Sequence, residues 1–165
     1  DAVVTGVRAY NVLEELRYKN KELMKYVENG GTLVSQYNKD RGITVDQIGP
    51  FPFKLSYDRV TEEDAEINFI DPDSPVLNTP NKITKKDFDG WVQERGLYFP
   101  NTWDENYDTV LSMHDKNEEA MQGSLLIAKY GKGYYVYTGL SFFRQFPAGV
   151  AGSYRLFANL LSLGK

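Results

Sequence analysis

The residues from Gly90 to Trp103 hold the densest candidate chemistry in this chain. Here Gly90-Trp91-Val92-Gln93-Glu94-Arg95-Gly96 and Leu97-Tyr98-Phe99-Pro100-Asn101-Thr102-Trp103 set two tryptophans among amide, carboxylate and guanidinium groups. Flat apolar faces stack on a sugar ring or a peptide, and fixed polar groups orient it. An interdomain contact uses the same mixture, because Trp, Tyr and Arg are favoured anchors. A packed loop in which Arg95 and Glu94 satisfy each other is the third reading. A second group is Arg8 and Asn11, which follow a short apolar run, together with Tyr37 and Asn38, which end another. If both runs are parallel strands, these residues share the edge beyond the strand C-termini, where open α/β sheets take ligands. Helix caps and turn contacts use the same residue types.

Other chemistry is thin. Carboxylates pair along the chain at Asp71/Asp73, Asp87/Asp89 and Asp104/Glu105/Asp108. Two acids held about 5–10 Å apart can hydrolyse a glycosidic bond, but most such clusters are turns or caps. No D-x-D-x-D-G calcium loop is present. His114, the one histidine, sits beside Asp115 with no thiol or serine elbow to activate. Gly131-Lys132-Gly133 lacks the spacing of a phosphate loop and leads into a β-rich run, so it reads as a hairpin turn. The 165 residues contain no cysteine, which removes disulfides, thiolate metal sites and thiol nucleophiles. Pairs of histidine ligands are likewise absent. The net charge of −4 argues against a broad nucleic-acid surface. No apolar run approaches the roughly 20 residues that span a bilayer. The chain opens on Asp1 without a signal peptide, which reads as a processed product or an excised segment.

The elements that must position these groups fall into three stretches. Ala2 to Val7 reads as a buried central strand. Apolar residues from Val12 to Val27 at helical spacing follow, closed by Gly30-Gly31, and Thr32 to Tyr37 reads as the next strand. That is a βαβ unit. From 38 to about 107, prolines at 50, 52, 72, 75, 80 and 100 predict long loops around short strands, with 65–70 the clearest strand. Aromatic residues are dense in this stretch, including Tyr57, Tyr98 and Phe99. Asp108 to Met113 reads as a strand, Ser124 to Thr138 as a hairpin that extends the sheet, and Leu156 to Leu163 as a closing amphipathic helix. The 165 residues are expected to form one three-layer α/β domain with a mostly parallel sheet.

Several stretches carry a family resemblance. Asp1-Ala2-Val3-Val4-Thr5-Gly6-Val7-Arg8-Ala9-Tyr10-Asn11 and Tyr26-Val27-Glu28-Asn29-Gly30-Gly31-Thr32-Leu33-Val34 resemble the class I glutamine amidotransferase-like fold. With Gly49-Pro50-Phe51-Pro52-Phe53-Lys54-Leu55-Ser56, Asp89 to Phe99 and Tyr130 to Arg144, the chain is similar to the C-terminal amidotransferase-like domain of secreted PIG-L (LmbE-like) deacetylases. The resemblance implies a flavodoxin-like three-layer sandwich whose first strand–helix segment lies upstream of Asp1. It also implies a periplasmic or secreted location. In amidotransferases of this fold, a Cys nucleophile follows the strand after the Gly-Gly turn. That strand here runs into Gln36-Tyr37-Asn38, so a Cys-His-Glu triad cannot form. One histidine cannot supply the deacetylase parent's zinc motif.

The expectation is therefore a non-catalytic accessory domain without cofactor or metal. It would bind a ligand, a carbohydrate first, or pack against the parent's deacetylase domain. The expected ligand-binding residues are Arg8, Asn11, Trp91, Gln93, Glu94, Arg95 and Trp103. Trp91 and Trp103 would provide stacking faces and the others hydrogen bonds. One rival is a hydrolase using Asp104 or Glu105 with Glu94, which needs two carboxylates across one cleft, one of them desolvated. The other is a structural interaction module, marked by an exposed apolar patch beside the first strand.

Overall fold

A computed structural model describes residues 2–165. The first strand, β1 (Ala2–Thr5), and β2 (Thr32–Gln36) pair in parallel with Val3 opposite Leu33, as a βαβ unit requires. Between them lie a single turn, α1 (Ala9–Val12), and the main crossover helix α2 (Leu16–Glu28). Gly30, at φ 111°, takes the left-handed conformation after α2 that a side chain would resist.

The expected hairpin is present, and it supplies the centre of the sheet. Strands β8 (Leu125–Tyr130) and β9 (Gly133–Thr138) are antiparallel around Gly131-Lys132, and β9 runs parallel to β2. Gly133 has no room for a side chain: a Cβ there would meet the Gly31 and Val27 carbonyl oxygens at 2.1 and 2.2 Å. The strand order is β1-β2-β9-β8-β6, with β6 being Asp108–Thr109. Two pairings are parallel and two antiparallel. The sheet is thus mixed, not mostly parallel, because a two-residue turn can only reverse the chain. Strand β1 is an edge and not a central strand, and Val4 is 40% exposed.

The middle stretch departs most from expectation. Its two longest strands, β3 (Phe53–Val60) and β5 (Gly96–Trp103), form a separate antiparallel ribbon. The expected strand at 65–70 shortens to β4 (Ile67–Phe69), and it pairs with β7 (Leu111–Met113) in a second small sheet. The single strand expected from Asp108 to Met113 is therefore split between two sheets at Val110. Short helices α3 (Pro75–Asn78) and α4 (Phe142–Gln145) and a 3₁₀ turn at Lys85–Phe88 complete this region before the closing helix α5 (Ala151–Leu161).

Alternation along the strands divides the core in two. Leu33, Leu126, Tyr135 and Tyr137 face the side that holds α2. Val34, Ile127 and Val136 face the side that holds α5, together with Trp91, Phe88 and Phe142. Helices thus cover both faces, giving the α/β layering expected from the pattern of elements.

Candidate functional site

The C-terminal ends of the parallel strands β1, β2 and β9 lie side by side, and the residues that follow them converge. Arg8 comes just after β1, Tyr37 just after β2, and Phe143 and Arg144 just after β9. The Arg8 amide donates to the Tyr37 carbonyl at 2.7 Å, tying the first two exits together. The ring of Tyr37 stacks on Tyr98 at 5.8 Å between centroids and lies 5.3 Å from Phe143. Tyr98 in turn contacts Tyr57, which is 60% exposed. An aromatic row therefore runs from buried Tyr37 through half-buried Tyr98 to solvent at Tyr57.

Charged groups border this row. The Arg144 guanidinium lies 4.9 Å over the Phe143 ring and donates through Nε to Glu94 Oε1 at 2.7 Å. Arg59 donates to the other Glu94 oxygen at 2.5 Å, and Gln93 Oε1 accepts from Arg144. Glu94 is 1% exposed, so this buried carboxylate survives only because two guanidinium groups hold it. Arg59 also faces Asp115, whose carboxylate it helps stabilise. Arg8 differs from both. Among the described residues no carboxylate pairs with it, and its Nε is buried without an acceptor. Burial raises the Tyr37 hydroxyl above its ordinary pKa, while the nearby Arg8 charge pulls the other way.

The backbone is strained at the same place. Four non-glycine residues among those described have positive φ, and three of them belong here: Arg8 (58°), Gln93 (68°) and Tyr98 (53°). Left-handed backbone costs an L-residue about 1–2 kcal/mol, and such outliers gather at functional sites. At Tyr98 the cause is a β-bulge. Asp58 pairs with Phe99 and Arg59 with Leu97, which leaves Tyr98 as the extra residue of β5. Bulges of this kind re-aim a side chain.

The expected site residues divide accordingly. Arg8, Gln93 and Glu94 stand in this cluster. Asn11 does not offer its side chain: it donates to the Lys39 and Arg41 carbonyls and accepts from the Lys39 amide, fixing the loop after β2. Asn38 is likewise consumed, accepting from the Tyr10 amide and donating to Gln36. Trp91 is 2% exposed and packs on Phe88 and Phe142, with its indole N–H on the Asp87 carbonyl, so it has no face to give a sugar. Arg95 does not pair with Glu94. It is buried, donates to the Ala65 and Phe88 carbonyls, and burial pushes its guanidinium below its ordinary pKa. Trp103 stands at the far end of β5, away from Arg8, on an open cleft of about 440 Å³ shared with Asp58, Asn101, Glu118 and Gln122.

The carboxylates of the hydrolase rival are not poised as a pair. Both Glu94 oxygens are occupied. Asp104 accepts from the Asn106 amide and side chain, which hold its carboxyl below the ordinary range. Neither the cleft at Trp103 nor the one between Ile43 and Leu55 is lined by Glu94, Asp104 or Glu105. Tyr57, Tyr98, Phe143, Arg144 and Arg59 were missing from the expected site. Arg144 carried one sequence signal, its place a few residues after the second run of the hairpin.

No family model matches the sequence, and no curated protein matches it. Solved structures do match. Cytoplasmic protein STM1381 from Salmonella typhimurium LT2 superposes with a TM-score of 0.62 at 14% identity, covering 100% of this chain and 72% of its own. Cytoplasmic protein STM3548 from Salmonella typhimurium gives 0.55 at 16% identity, over 97% of this chain and 69% of its own. A β-galactosidase from Rahnella sp. R3 gives 0.53 at 15% identity, over 99% of this chain but only 23% of its own. The likeness is one of fold. It supports an α/β fold with a mixed sheet.

Proposed function

We propose that this chain is a non-catalytic ligand-binding domain that holds a carbohydrate at the C-terminal edge of its parallel strands. The observation that carries this reading is the convergence of three left-handed residues on one surface of tyrosines and arginines. By the resemblance, the amidotransferase cysteine would follow β2, where this chain runs into Gln36-Tyr37-Asn38, with Tyr37 stacked and buried. Such a surface can bind and orient a ring. The β-galactosidase match adds support, since a protein named for a glycosidase carries the same fold within a longer chain. By the sequence resemblance, the parent is a PIG-L-type deacetylase acting in the periplasm or outside the cell, with this domain beside its catalytic unit.

A thermal-shift screen against a glycan panel tests the proposal, using wild type and Tyr57→Ala. A ligand at about a hundred times its Kd should raise the wild-type Tm by roughly 5 °C. Tyr57→Ala should lose that shift while keeping its unliganded Tm, because Tyr57 is exposed. Absence of any shift in wild type would remove the carbohydrate reading.

One observation favours a second reading, an interaction module. Edge strand β1 is unpaired on one side among the described residues, and Val4, Val12 and Leu13 are 40, 58 and 48% exposed. Open edges recruit another strand or a covering element. Hydrogen exchange of the β1 amides decides this, being slower in the parent protein than in the isolated chain if a partner covers the edge, and equal if none does.

A further inference from the structure

We infer that the ligand of this edge is an anionic sugar, and that Arg8 receives its charged group while the ring lies on Tyr98 and Tyr57. The inference rests on the carbohydrate reading and adds the chemical class of the ligand. Three cations border the aromatic row, and two are already balanced. Arg144 and Arg59 divide the two oxygens of Glu94, and Arg59 also faces Asp115. Among the described residues, Arg8 has neither a carboxylate nor an acceptor for its buried Nε. A buried donor of a charged group left unpaired is costly, and here it coincides with a backbone conformation that an L-residue resists, at φ 58° and ψ 19°.

Neither cost buys anything for the fold alone. Glycine would adopt this conformation freely, and the tie to β2 is made by the backbone amide of residue 8, which any residue but proline supplies. What the arginine adds is a planar donor fork beside Tyr37, at the inner end of the aromatic row. A carboxylate or sulfate on a sugar ring fits a guanidinium, and the apolar face of that ring fits a tyrosine. A neutral sugar would leave Arg8 unpaired.

Calorimetric titration tests this with matched ligands: methyl galactoside, methyl galacturonide, and the sulfated galactoside. The two charged sugars carry the same charge on different geometries, so carboxylate and sulfate recognition are separated. Wild type should bind at least one charged sugar roughly tenfold more tightly than the neutral one. That preference should weaken as salt rises. Arg8→Gln should bring charged and neutral affinities together by weakening the charged one roughly tenfold. Arg8→Gly controls for folding: its Tm should stay level or rise, while the preference vanishes. Equal affinities in wild type, or a preference that survives both variants, would overturn the inference. If neutral sugar still binds in that event, the carbohydrate reading stands without it. If no sugar binds, both fall.

Discussion

Trp91 and Trp103 have the same side chain and opposite situations. Trp91 is sealed between Phe88 and Phe142, and Trp103 lines an open cleft. Truncating a buried tryptophan destabilises by about 3–5 kcal/mol, so Trp91→Ala should lower chemical-denaturation stability by that amount. Trp103→Ala should cost less, about 1–2 kcal/mol, since its ring stays partly in water. Equal costs would contradict the assignment of Trp91 to the core. The same pair shows why composition alone misjudged the stretch. Trp, Gln, Glu and Arg within a few residues describe a binding pocket and a packed loop equally well. Only exposure separates them, and exposure depends on α4 arriving from some fifty residues downstream.

Among the elements, those readable in sequence were the ones whose pattern is local. Strand β2 opens on the short stretch Thr32-Leu33-Val34 after Gly-Gly, and the β8–β9 hairpin is two largely apolar runs around a glycine turn. Strand β3 opens with alternation, Leu55 inward and Lys54 outward, but its register shifts before Arg59, leaving Tyr57 exposed and Val60 buried, and this break and the nearby prolines obscured it. Strand β5 was harder, because Pro100 and the bulge at Tyr98 break the two-residue period that identifies a strand. The exit from β3 gives a prediction of its own. The Asp115 carboxylate accepts from both the amide and hydroxyl of Thr61 and from the Glu62 amide, clasping β3 to the residues after β7. Burial raises its pKa, but these hydrogen bonds outweigh that and leave it below the ordinary value. A depressed folded pKa means the clasp is fully present above about pH 4, the ordinary aspartate pKa, and is lost as pH falls through the lower folded value. Asp115→Asn should therefore destabilise at neutral pH and show a shallower acid decline than wild type. Parallel acid profiles for the two proteins would refute the clasp.

For the whole molecule, the unusual feature is phenol under the sheet. Tyr10, Tyr107, Tyr135 and Tyr137 all lie in the core cluster beneath α2. Burial pushes the Tyr10 hydroxyl up to about 12 and raises the other three as well. In the unfolded chain each ionises near pH 10. Folding holds their protons, so the unfolded state binds fewer protons above that pH and stability falls as pH rises. Unfolding followed by tyrosinate absorbance should be steep and cooperative above about pH 10, and coincident with loss of helical signal. Gradual titration of these tyrosines in a chain that stays folded would contradict the packing described here. That packing also bears on the C-terminal edge of the parallel strands, because Tyr137 donates to the Tyr98 carbonyl at the bulge. The core thus sets the position of the surface ring.

The account turns on the claim that the C-terminal edge around Arg8, Tyr98 and Tyr57 is where this protein holds its ligand. Heteronuclear NMR during titration with methyl galacturonide reads this directly. The account predicts that the Arg8 side-chain Nε–H signal and the Tyr57 and Tyr98 amides shift together and saturate, while Trp91 and Trp103 indole signals stay in place. Shifts centred on the Trp103 cleft, or an unperturbed spectrum at saturating sugar, would contradict it.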